Sequence, residues 1–353
     1  MYPALAIVRA LGGRADVLWV GGEGGMEASL VQRAGVNFTT VPAAGIHGVG
    51  LRALPGNLAR LARGVRAARA VVRGFGPQAM LFTGGFVGVP VALAGAGVPK
   101  LAYVPDIEPA LALQLVARLS DVVAATTDAT RAYLPSGKKV VVTGYPTRPE
   151  LAPMPKDLAC GRLGLDPTRP VLLVSGGSRG ARSINQALWS CLVELLPKTQ
   201  VIHTTGELDW PEVAGQQARL PAELAPAYHP HAYLHEEMGA ALAAADLVVS
   251  RAGASVLGEY PLFGLPSVLV PYPHAWRYQK DNADYLAGRG AAIIVEDASL
   301  ANEIASAVLS LLGDRPRLAR MAEAARQLAR PHAAAAIADE IESLVQARSR
   351  GRD

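Results

Sequence analysis

The sequence predicts an α/β protein made of two Rossmann-like domains in tandem, each with a parallel sheet. Three observations predict it. Segments rich in Val, Ile, Leu and Ala alternate with helical segments along nearly the whole chain. The alternation stops across a stretch with six prolines, from Pro146 to Pro170, and then restarts. Several strand-like segments run directly into glycine turns, as βα junctions of parallel sheets do.

Taken in order, MYPALAIVRALGG reads as a helix ended by Gly12-Gly13, with Leu5, Val8 and Leu11 on one side. ADVLWVGG reads as a strand, GGMEASLVQRAG as a short helix and VNFTTVPA as a strand. Residues 57–74 form a helix. QAMLFTGG, KLAYVPD, DVVAATT and KKVVVTG are strands, with helices over 87–97 and 110–120. After the prolines, strands fall on PVLLVSGGS, TQVIHTTG, YHPHAYL, DLVVSRAG, PSVLVPYP and AAIIVED. Helices fall on 181–196, 236–245, 255–263 and 279–288, and the chain is helical from 300 to 348. The expected division is a first domain over 1–148, a linker over 149–169, a second domain over 170–330 and a C-terminal helix over 331–353 that packs back on the first domain.

A chain of 353 residues, half of them hydrophobic, can bury two cores. The net charge of +4 is mild and does not point to nucleic acid. Cys160 and Cys191 do not make a disulfide framework, so a reducing, cytoplasmic setting is expected. No apolar run reaches the roughly 18 residues of a membrane span, and no secretory leader pattern opens the chain. Charge is unevenly spread. Between Glu27 and Asp106 no acidic residue occurs, while Arg33, Arg52, Arg60, Arg63, Arg66, Arg69, Arg73 and Lys100 do. The first domain therefore carries a positive field.

Three motifs of the second domain suggest chemistry. VLLVSGGSRGARSIN (171–185) joins a strand to a helix through Gly176, Gly177, Ser178, Arg179 and Gly180. Turn N–H groups and a helix N-terminus suit an anion. The same glycines also suit a tight turn without a ligand, and the spacing is neither that of dinucleotide folds nor that of a P-loop. SRAGASVLGEYPLFGLP (250–266) repeats the arrangement at Arg251, Ala252, Gly253, Ala254 and Ser255. Glu259 follows about one helical turn later, where its carboxylate suits the vicinal hydroxyls of a sugar. In PYPHAWRYQKDNADYL (271–286), Gln279 and Asn282 stand at i and i+3 of a helix start. They suit either a polyhydroxylated ligand or helix capping.

In this order the motifs, with LFTGGFVGVP, VVVTGYPTRPEL and the glycine-rich run 44–54, resemble the MurG family of glycosyltransferases from the first residue almost to the last. The resemblance implies the GT-B fold, two Rossmann-like domains facing a cleft. It implies a hexosyltransferase, inverting and metal-independent, that needs no cofactor. The donor would be UDP-N-acetylglucosamine and the acceptor a polyprenyl-diphosphate-linked muramyl-pentapeptide, in peptidoglycan synthesis. Related readings are transfer to a different lipid acceptor, or a catalytically silent UDP-sugar-binding scaffold. Matched residue by residue, Gly177 and Ser178 fall on the donor diphosphate loop and Glu259 on the ribose. Arg251 and Ala254 fall on the neighbouring turn, Gln279 on the sugar with Asn282 in the same motif, and Arg148 near the nucleotide. Gly84 and Gly85 match a turn for the acceptor diphosphate. The implied partners are these two substrates, an anionic membrane surface and other cell-wall synthesis proteins, at the cytoplasmic face of the membrane.

The sequence departs from the family pattern at two kinds of place. The family's opening strand and glycine-rich loop with its histidine are not matched, which raises the expectation of a misassigned start and a first-domain sheet with two unpaired edges. Tyr103-Val104-Pro105-Asp106 replaces a HEQN strand end, Val256 a threonine, and Tyr278 a glutamine or histidine. Asp106 is then the candidate catalytic base, or else the N-cap of the following helix. In the helix over 57–74, Leu58, Leu61, Val65, Ala68 and Val72 share one arc, with Arg60, Arg63, Arg66, Arg69 and Arg73 opposite. An ordinary surface helix would fit. Five arginines without acids suit an anionic membrane better.

Overall fold

Strand and helix alternate twice in the computed structural model, which describes residues 1–24, 28–43, 54–177, 180–273 and 278–350. The elements are α1 (Tyr2–Leu11), β1 (Leu18–Gly22), α2 (Ala28–Arg33), β2 (Asn37–Val41), α3 (Leu54–Phe75), β3 (Met80–Phe82), α4 (Gly88–Ala94), β4 (Lys100–Val104), α5 (Leu111–Leu119), β5 (Val122–Ala125) and β6 (Lys139–Val142). They continue as α6 (Lys156–Leu163), β7 (Val171–Ser175), α7 (Arg182–Leu195), β8 (Gln200–Thr204), α8 (Trp210–Gln217), β9 (Tyr228–His231), α9 (Met238–Ala244) and β10 (Leu247–Ser250). The last are α10 (Glu259–Phe263), β11 (Ser267–Leu269), α11 (Tyr278–Ala287), β12 (Ala292–Ile294), α12 (Leu300–Gly313), α13 (Arg315–Gln327) and α14 (Ala333–Arg350).

The chain divides into two units, one of Met1–Arg148 with the residues from Pro331 onward, the other Pro149–Arg330. In the first unit β3-β4-β5-β6 form a four-stranded parallel sheet, and β1 pairs in parallel with β2. Among the described residues β1 and β3 each have one strand partner. One side of the four-stranded sheet packs Phe82, Ala102, Val104 and Val123 against Leu113, Val116 and Ala117 of α5 and Val89 and Ala92 of α4. The other side packs Leu101, Tyr103, Val122 and Ala124 against Ile7 of α1 and Ile337 of α14. The C-terminal helix thus belongs to the first unit. Its Glu340 and Glu342 also reach Lys139 and Arg14.

In the second unit the sheet order is β12-β11-β10-β7-β8-β9, all parallel. Its central strands β7, β10 and β11 are buried on both faces and are dominated by Val and Leu, as parallel sheets favour.

Four elements differ from expectation, the first being α8, which falls where no helix is expected. The proline-rich stretch is not wholly linker: α6 lies within it, starting after Pro155 and burying Ala159 and Cys160 completely. Its Lys156 ammonium meets Asp246 at 2.6 Å. Six prolines mask the helix because Pro155 stands at its N-cap rather than inside it. The helix over 255–263 is broken into a 3-10 turn, Ala254–Leu257, and α10, because Gly258 interrupts it and Pro261 fits only a first turn. Glu259 therefore begins α10 instead of lying one turn along a continuous helix. The long C-terminal helical region is three helices, stopped at Asp314 and again before Pro331.

Candidate functional site

β7, β8 and β9 run outward in one direction, and β10, β11 and β12 in the other. The order reverses between β7 and β10, which is where ligands of doubly wound sheets bind. Ser175 pairs with Ser250 in register, so the two strands end level and their glycine turns leave side by side.

Two glycines of the first turn have no room for a side chain. A Cβ at Gly176 would stand 2.1 Å from the Ala181 nitrogen, and one at Gly180 2.2 Å from the Thr205 carbonyl oxygen. Gly180 also has φ +75° and donates its N–H to the Gly177 carbonyl at 2.9 Å. Ser178 lies outside the described residues. Ala181 caps α7 without a side-chain oxygen, so the positive end of a 14-residue helix is directed at the turn.

A buried network supports this turn from below. Asn185 of α7 donates its two amide hydrogens to the Thr205 carbonyl (2.9 Å) and to Asp209 (2.8 Å). Its Oδ1 then accepts from His203 Nε2 at 2.9 Å, and His203 Nδ1 accepts from the Tyr228 hydroxyl at 2.8 Å. The ring is neutral with its proton on Nε2, the only tautomer that satisfies every partner. Burial pushes its pKa down to about 3. Sequence reasoning missed His203 and Tyr228. The available signal was an imidazole directly after the apolar pair Val201-Ile202 of a strand.

The second turn is held from two sides. The Arg251 guanidinium, 11 % exposed, meets Asp297 at 2.6 Å and the Ser183 hydroxyl oxygen at 2.7 Å. Asn282 is fully buried and donates to the Ala252 carbonyl at 3.0 Å. Its expected place facing a sugar is therefore corrected: its amide supports the turn. Ala254 and Glu259 are partly exposed beside this turn, and Gln279 accepts the Tyr272 N–H through Oε1 at 2.9 Å.

The remaining expected residues lie in the first unit. Arg148 stacks over the Tyr2 ring at 4.6 Å, and its Nε is buried without a hydrogen-bond partner among the described residues. Gly84 and Gly85 follow β3 with φ +124° and +83°. Asp106 follows β4, partly exposed. The N-cap of α5 is Ala110, so the capping role considered for Asp106 is not the one it has. Tyr103, fully buried beneath, donates to Thr126 Oγ1 at 2.8 Å, and burial raises its pKa well above the usual phenol range. Arg60, Arg63, Arg66, Arg69 and Arg73 are all exposed along α3.

Comparison with known proteins fits this geometry. Residues 1–103 match the glycosyltransferase family 28 N-terminal domain, and 171–340 match the family 28 C-terminal domain. The chain is 40% identical to a protein of Roseiflexus sp. (strain RS-1), covering 98% of this chain and 92% of the relative. It is 38% identical to one of Desulforudis audaxviator (strain MP104C), covering 98% and 95%. Both are named UDP-N-acetylglucosamine–N-acetylmuramyl-(pentapeptide) pyrophosphoryl-undecaprenol N-acetylglucosamine transferase. The crystal structure of Acinetobacter baumannii MurG is similar, with TM-score 0.77 at 26% identity over 97% of this chain and 95% of that one.

Proposed function

The chain belongs to glycosyltransferase family 28, and from that premise we propose that it transfers N-acetylglucosamine from UDP to a polyprenyl-diphosphate-linked muramyl-pentapeptide. The observation that carries the reading is the pair of level glycine turns after β7 and β10 at the switch point of the second unit. They suit a nucleotide diphosphate.

In the transfer, an acceptor hydroxyl attacks the anomeric carbon, the bond to the diphosphate oxygen breaks, and UDP leaves with the electron pair. Its growing charge is stabilised by the N-terminus of α7, which the first glycine turn leaves open. Glu259 suits the ribose hydroxyls, and Gln279 the sugar through its amide nitrogen, its oxygen being taken by Tyr272. Ser178, Arg251 and Ala254 complete the donor side and Arg148 the nucleotide side. Gly84 and Gly85 serve the acceptor diphosphate. Asp106 takes the proton of the attacking hydroxyl.

The working place is an anionic membrane surface, the cytoplasmic leaflet, where other cell-wall synthesis proteins are partners. No helix among the described residues is long and apolar enough to cross a membrane. The exposed arginines of α3 and the exposed Leu111, Leu115 and Leu119 of α5 support contact with lipid instead.

The test is UDP release from UDP-N-acetylglucosamine with a soluble lipid-linked muramyl-pentapeptide analogue. Turnover that requires this acceptor is expected. Release only with another lipid acceptor would overturn the acceptor assignment, and saturable UDP binding without any release would favour a silent scaffold.

A further inference from the structure

We infer that Asp297 and Ser183 are positioning residues for the donor site, acting through Arg251 to lock the turn after β10 against the first turn of α7. The inference rests on the donor-site reading above and adds residues to it. Arg251 begins the second glycine turn, Ser183 stands in the first turn of α7 just past the first glycine turn, and Asp297 follows β12.

The three side chains close a ring. Asp297 Oδ1 accepts from Arg251 Nη1 at 2.6 Å and from the Ser183 hydroxyl at 2.7 Å. The Ser183 oxygen accepts from Arg251 Nη2 at 2.7 Å. Arg251 Nη1 also reaches the carbonyls of Val270 (3.1 Å) and Pro271 (3.4 Å), at the exit of β11. The guanidinium lies 5.2 Å from the Tyr272 ring centre. One planar fork thus ties together the loop ends of four strands, β7 through α7, β10, β11 and β12. A guanidinium suits this task because its donors are fixed in one plane.

This arrangement decides what Arg251 does. Its charge is matched by Asp297 and both terminal nitrogens are engaged. Turning it toward a phosphate would break the contacts that hold the turns level. Arg251 therefore acts on the donor by holding backbone N–H groups in place. Asp297 is not an anion competing with the diphosphate: it holds Arg251, and its loss loosens the site.

Calorimetry with UDP, donor and acceptor KM and thermal midpoints separate these roles in Asp297→Ala, Asp297→Asn and Ser183→Ala. Asp297→Ala is expected to raise the UDP Kd and the donor KM about tenfold, with the acceptor KM unchanged. Asp297→Asn, which keeps an oxygen acceptor, should recover part of the loss, and Ser183→Ala should cost a few-fold. The double variant Ser183→Ala/Asp297→Ala should lose less than the product of the single effects, because both act through one guanidinium. Tighter UDP binding in Asp297→Ala would overturn the inference in favour of charge competition. A lowered midpoint with unchanged UDP affinity would overturn it in favour of a purely structural role. If the wild-type chain binds no UDP, the donor-site reading itself fails, a result distinct from either.

Discussion

Gly180 shows how little freedom single residues have in the first glycine turn of the second unit. Its φ of +75° and the Thr205 oxygen 2.2 Å from where a Cβ would sit exclude any side chain. Gly180→Ala is expected to cost roughly 2 kcal/mol or more, from left-handed strain and overlap together, and to weaken UDP binding at least tenfold. Thermal denaturation and calorimetry measure the two effects. His203 governs a different property. Its pKa falls from 6.5 to about 3 on folding, so between these values the unfolded chain binds the extra proton. Its contribution is complete above pH 6.5 and declines as pH falls toward 3, by up to about 1.4 kcal/mol per pH unit. His203→Gln should flatten that limb of the stability–pH curve. An unchanged limb in denaturant titrations at pH 6.5, 5.5 and 4.5 would contradict the assignment.

At the scale of elements, α5 is apolar on more than one side. Leu113, Val116 and Ala117 enter the core, while Leu111, Leu115 and Leu119 recur every four residues on an exposed stripe. α3 is amphipathic, with Leu61 and Val72 packed inward and five arginines outward. Both helices pack on α4, so a basic face and an apolar stripe belong to one layer. Replacing Arg63, Arg66 and Arg69 by Glu should abolish co-flotation with anionic vesicles, since each lost cation removes about 1 kcal/mol. Leu115→Gln with Leu119→Gln should weaken it on neutral and anionic vesicles alike. Flotation of the wild type that ignores lipid charge would contradict the role of α3.

For the whole molecule, the expected consequence of ligand binding is confined stabilisation. Free UDP at about 100 times its Kd should stabilise the folded state by about 2.7 kcal/mol. Hydrogen-exchange protection should rise at the ends of β7 and β10 and around Asn282, within residues 149–330, and not along α3 or α5. Protection spread evenly over both units would contradict a donor site built within the second unit.

Periodicity alone reveals most strands and helices, because parallel strands buried on both faces are mainly apolar and their connecting helices must show a stripe. The glycine motifs were equally legible, since only glycine meets the close approach at 176 and 180. α6 was hidden by its flanking prolines, and the break at Gly258 by an apolar pattern that continues across it. The partners of Arg251 could not be read from sequence. Ser183 and Asp297 are 68 and 46 positions away and acquire their role only when β7, β10 and β12 enter one sheet and their loops meet. The chain's own order of residues determined two parallel-sheet units and the turns fit for a diphosphate. Tertiary structure decided which polar side chains brace those turns, because hydrogen bonding depends on distances that only the packed sheet sets.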